Sequence, residues 1–133
     1  MTLNTIRLTL ARDHDFPNGS DAHGYLFVAP LDSDGRIDAE GWRKERERCR
    51  VRRFWAGEDE EVGHLVHTRG RKWAFHYDIH GDVDDDEPGY RFESHVFAPG
   101  EYVSILEHDG HMRTFRVAEV APLDATSTDA AGG

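Results

Sequence analysis

The stretch Thr5 to Leu10, TIRLTL, alternates side chains with a period of two: Ile6, Leu8 and Leu10 against Thr5, Arg7 and Thr9. Successive side chains of a strand point to opposite faces, so the pattern fits a sheet with one buried face and does not fit a helix. Comparable short apolar segments recur along the chain, each cut off by Gly, Pro, Asn or Asp. GYLFVAPL (24–31), CRVRRFW (49–55), VGHLVHT (62–68), KWAFHYDIH (72–80), YRFESHVF (90–97) and a pair within PGEYVSILEHDGHMRTFRVAEV (99–120) read as strands. The chain lacks the strand–helix alternation of a parallel sheet. The expected fold is therefore all-β: a small antiparallel barrel or rolled sandwich of about eight strands.

One short helix is expected between the second and third strands, in IDAEGWRKERER (37–48). Asp38 is placed to cap it, and Ile37 and Trp42 occupy the two positions of a hydrophobic staple. Glu40 lies early and the arginines late, the order that suits the helix dipole. The unbroken run Tyr25–Ala29 predicts a strand covered on both sides, and Pro30 should end it or put it at an edge.

Two registers follow from pattern alone. In the hairpin joining 62–68 to 72–80, placing Val62, His64 and Val66 opposite Tyr77, Phe75 and Trp73 collects the aromatics on one face. In the last hairpin, a three-residue loop with Gly110 in a bulge faces Val103 with Phe115, whereas a two-residue turn would face Val103 with Arg116. Residues 1–121 read as one domain, and the small, polar 122–133 segment as a disordered tail.

Charge narrows the function. The 133-residue chain has a formal net charge of −10, and such a field repels nucleic acid and anionic membranes at long range. No stretch approaches the apolar length of a membrane span, no basic region followed by an apolar run opens the chain, and the single Cys forms no internal disulfide. A cytoplasmic location is expected. Against the acidic whole, RKERERCRVRR (43–53) carries seven of the 16 Lys and Arg residues.

On a strand, Arg50 and Arg52 share a face about 7 Å apart, a spacing suited to a carboxylate or phosphate. Arg43 and Arg46 extend the patch along the helix, and Trp55 offers an aromatic contact. The expected function is a non-catalytic binding module for an anionic small molecule or partner surface, with no cofactor. The plainer use of the same arginines is to neutralise the chain's own acidic turns, Glu58–Glu61 and Asp84–Glu87.

Two other readings stay open. The loop DHDFPNGSDAHG brings His14, Asp21 and His23 onto flexible backbone, where they suit a divalent metal ion and a metal-dependent activity. Alternatively, the acidic loops make an interaction module for a basic protein; a homodimer also stays open. Other candidates fall away. His76 and His80 stand about 13 Å apart on a strand, and His64 reads as a hydrogen-bonded core histidine. Asp82, Asp84, Asp86 and Glu93 match a calcium loop except at its turning position, which is Glu87. Cys49 reads as buried and structural, and no nucleophile elbow or phosphate-binding loop is present.

Overall fold

The computed structural model describes residues 2–67, 72–78, 87–90, 92, 95–107 and 110–123. Eight strands follow in order: β1 (Thr2–Leu10), β2 (Ser20–Leu31), β3 (Arg50–Trp55), β4 (Glu61–His67), β5 (Trp73–Tyr77), β6 (Glu87–Tyr90), β7 (Tyr102–Leu106) and β8 (Met112–Pro122). Each pairs antiparallel with the next, and β8 returns to pair with β1, closing a barrel. The helix α1 (Ala39–Glu45), continued by a single 3₁₀ turn at Arg46–Arg48, lies between β2 and β3.

The alternation in the sequence decides which side chains fill the barrel. Ile6, Leu8 and Leu10 of β1 and Tyr25, Phe27 and Ala29 of β2 point inward and are buried. β2 is not covered on both sides, however. Its Leu26 and Val28 face outward and are half-buried, with Leu26 set between Arg7 of β1 and Arg52 of β3. Pro30 stays inside β2, paired with Leu3, at a point where the ladder to β3 has already ended at Phe27. The strand is thus a local edge on that side, which is where a residue without an N–H is tolerated.

Buried rings of the described residues pack the barrel interior. Phe75 packs against Tyr25 and Phe27, each at 5.1 Å between ring centroids, Tyr25 meets Phe115 edge-on, and Phe92 and Phe97 complete the stack. Each such ring, once buried, contributes about 1.5–3 kcal/mol. Phe92 and Phe97 lie in the β6–β7 connection, because the sixth strand is Glu87–Tyr90 and residues 95–98 have no regular structure. YRFESHVF is therefore not the strand its pattern suggested.

The β7–β8 register is the bulged one, with Val103 opposite Phe115. Gly110 has φ +87°, a conformation open to glycine, and its N–H donates to Glu107 O. The β4–β5 register differs by one residue from the sequence reading: Gly63 faces Tyr77, Leu65 faces Phe75 and His67 faces Trp73. At Gly63 a Cβ would stand 1.9 Å from His76 O, so the residue without a side chain is the one that admits β5. Val62 is left exposed and His64 turns outward, away from the core.

Asp38 caps α1, its side chain accepting from Glu40 N at 3.1 Å. Trp42 packs edge-on against His67 and Trp73 and donates Nε1–H to Leu65 O, closing the end of the barrel where β4 passes to β5. β8 extends to Pro122, and Leu123 packs against the core. The rest of the expected tail, 124–133, and the acidic segment 79–86 with Glu93 lie outside the described residues. Among the described residues, no helix is long and apolar enough to cross a membrane.

Candidate functional site: a cationic outer face and a charged barrel end

Strand β3 divides the arginine block by parity. Val51, Arg53 and Trp55 point into the barrel, and Arg50, Arg52 and Phe54 point out. Arg50 and Arg52 therefore share an outer face as expected. Trp55 does not join them; Phe54 takes its place as the aromatic of that face, with the Arg7 guanidinium 4.7 Å from its centroid. Cross-strand pairing sets Arg7, Leu26, Arg52 and Val62 in one row, and Arg50, His64 and His76 in another.

The two outward arginines are loosely held. Arg50 lies 3.7 Å from Asp78 and 3.4 Å from His64, and Arg52 lies 3.8 Å from Glu60. Their side chains are 55% and 50% exposed. Exposed pairs at such distances are worth about 0–1 kcal/mol. Arg43 and Arg46 remain on the helical segment: Arg43 pairs with Glu40, and Arg46 lies over the Trp42 ring. The acidic turn 58–61 does neutralise part of the block, since Glu58 and Glu61 both reach Arg53.

Arg53 belongs to a second feature that the hydrophobic pattern concealed. At the end of the barrel where β1 meets β2, β3 meets β4 and β7 meets β8, Glu107 sits almost fully buried. It accepts from Tyr25 Oη at 2.6 Å and from Arg113 Nε at 3.1 Å, and lies 3.5 Å from Arg53. Arg113 continues outward to Asp13 at 3.0 Å and Asp15 at 3.5 Å. The backbone N–H of Asp15, and next Arg113, hold the Asp13 carboxyl below its usual pKa, against an opposing push from burial.

Trp55 roofs this network, with Arg53 at 4.3 Å and Arg113 at 5.6 Å from its ring, and Phe16 and His23 pack beside it. Parity carried the signal. Arg53 follows Val51, Glu107 follows Val103 and Ile105, and Arg113 precedes Phe115 and Val117 on inward-facing positions.

The residues proposed for a metal are dispersed in role. His23 is buried between Phe16 and Trp55, with Nδ1 2.6 Å from Ser20 Oγ. Burial first, then Arg53 and Arg113, push its pKa below 6.5. His14 lines an open cavity of about 540 Å³ with Asp13, Asp15 and Arg113, and Asp21 lines a different one with Arg12 and Arg116. Among the described residues no three His, Cys, Asp or Glu side chains are grouped to hold a metal ion.

Cys49 is fully buried, and burial, then Glu45, raise its thiol pKa to about 11. It is no nucleophile at neutral pH. Compared with protein-family models, curated proteins and solved structures, the chain gives no match.

Proposed function

We propose that the protein is a non-catalytic binding module that docks on an acidic surface of a partner through the outer face of β3. The observation that carries this is the grouping of Arg50, Arg52, Phe54 and Arg7 on one face of the barrel, with Arg50 and Arg52 held only by loose ion pairs. A surface pair worth about 1 kcal/mol or less is readily exchanged for an incoming carboxylate that offers forked contacts. The ring-packed interior of the described residues favours binding on the outside. A broad, pleated face suits a partner surface better than a small molecule, which needs a concavity.

The test is binding of a fluorescently labelled Glu-rich peptide to the whole protein. Anisotropy should rise at about 50 mM salt and fall back at about 500 mM as charges are screened. Changing Arg50 and Arg52 together to Ala should weaken binding about tenfold or more. A Lys-rich peptide distinguishes the acidic-module alternative. If that peptide binds and the Glu-rich one does not, the protein's acidic loops are its contact surface and the β3 face is not.

A further inference from the structure

A different pair of arginines stands out by what it lacks. Every other described arginine meets a carboxylate or lies over an aromatic ring, as Arg36, Arg48 and Arg52 do in one way and Arg7 and Arg46 in the other. Arg12 and Arg116 do neither with any described residue, in a chain with a net charge of −10. Both line one groove of about 530 Å³ on the outside of the barrel, where the β1–β2 turn passes β8.

The backbone builds that groove. Arg116 lies opposite Thr9, and Ala11 N–H donates to Thr114 O at 3.0 Å, which carries Arg12 alongside β8. The register of β1 and β2 breaks after Thr9, so that Leu10 pairs with Ser20 and residues 21–23 are left out of the ladder. Asp21 thereby projects at the groove's edge, exposed and without an ion pair to either arginine, and Asn18 lies beside it. Tyr102, largely exposed, forms a wall.

Two guanidiniums that meet no described carboxylate or ring supply the charge and the forked donors that a phosphate dianion takes up. Asp21 would repel the phosphate itself, but it accepts hydrogen bonds from hydroxyl groups, and Asn18 both donates and accepts. A lining of arginines, hydroxyls, one carboxylate and one amide, with a phenol ring at its side, matches a molecule with a phosphate at one end and several hydroxyls at the other. The volume falls in the range of about 300–1,000 Å³ typical of small-molecule sites. We propose that this groove binds a sugar phosphate, with Arg12 and Arg116 on the phosphate, and Asp21 and Asn18 on the sugar hydroxyls. The site shares no residue with the outer face of β3 and stands or falls separately from the docking proposed there.

Calorimetric titration of the whole protein with glucose 6-phosphate, glucose and inorganic phosphate tests it. Glucose 6-phosphate should bind, inorganic phosphate should bind more weakly, and glucose should give no heat. R12Q and R116Q should each weaken glucose 6-phosphate about tenfold or more, a loss of about 1.4 kcal/mol. D21N should weaken glucose 6-phosphate while leaving phosphate as tight or tighter.

All four side chains lie on the surface, so the variants should melt with the parent protein, and a matched melting temperature makes a loss of heat a loss of binding. R50A/R52A should bind glucose 6-phosphate like the parent. Absence of binding, binding unaffected by R12Q and R116Q, or equal affinity for inorganic phosphate and glucose 6-phosphate would each overturn the assignment.

Discussion

Replacing Glu107 with Gln removes the negative charge on which the barrel's closed end converges, at nearly constant volume. Glu107 receives Tyr25, Arg113 and Arg53 within 3.5 Å, and the side chains of Arg53 and Arg113 are only 5% and 10% exposed. Breaking a buried ion pair by deleting one partner costs about 3–5 kcal/mol, because the remaining charge is stranded away from water. Here Arg53 keeps Glu58 and Glu61, and Arg113 keeps Asp13 and Asp15. The expected loss therefore lies at the lower end, about 3 kcal/mol, against a total of about 5–15 kcal/mol for a domain.

Urea denaturation followed by Trp fluorescence measures it. With a slope of about 2 kcal/mol/M, the midpoint should fall by about 1.5 M at an unchanged slope. A loss below about 1 kcal/mol for the single change would mean that water reaches the cluster, and the argument from burial would fail.

His23 has its pKa held below 6.5 by burial and by Arg53 and Arg113. The unfolded chain takes up a proton as pH falls through 6.5 and the folded one does not, so stability is full above that pH and declines below it. Denaturation midpoints between about pH 7 and about pH 5 should show the decline, and H23N should flatten it. Cys49, with a thiol pKa of about 11, should resist iodoacetamide in the native protein at neutral pH and react once it is unfolded; rapid native labelling would contradict its burial. G63A should destabilise by about 2 kcal/mol or more, because the new Cβ meets His76 O and the β4–β5 ladder must open. A smaller effect would contradict the register with Gly63 opposite Tyr77.

The fold was largely legible because most strands obey simple alternation. Ile6, Leu8 and Leu10 marked β1, Asp38 and Trp42 placed the helix, and the Gly110 bulge gave the correct final register. The failures have physical causes. Matching Val62 and Val66 with the aromatics of β5 treated size as the guide to pairing, when the close approach needed Gly63 opposite Tyr77. YRFESHVF misled because Phe92 and Phe97 enter the core from a connection and not from a strand.

The charged barrel end was missed because charged residues are assigned to the surface by type, although the parity of Arg53, Glu107 and Arg113 placed them inside. Trp55 was grouped with Arg50 and Arg52 by proximity in sequence, and the same parity separates them. The Arg12–Arg116 groove has no local signature at all, since its two halves lie more than a hundred positions apart and meet only through the β1–β8 closure.

The most direct test of binding on the outer face of β3 is an amide NMR titration of the protein with the Glu-rich peptide. Shifts should concentrate at Arg50, Arg52, Phe54, Arg7 and His64, while Tyr25, Phe75 and Phe115 stay unmoved. Shifts centred on those core rings, or on the turn at 58–61 with the β3 face silent, would contradict it.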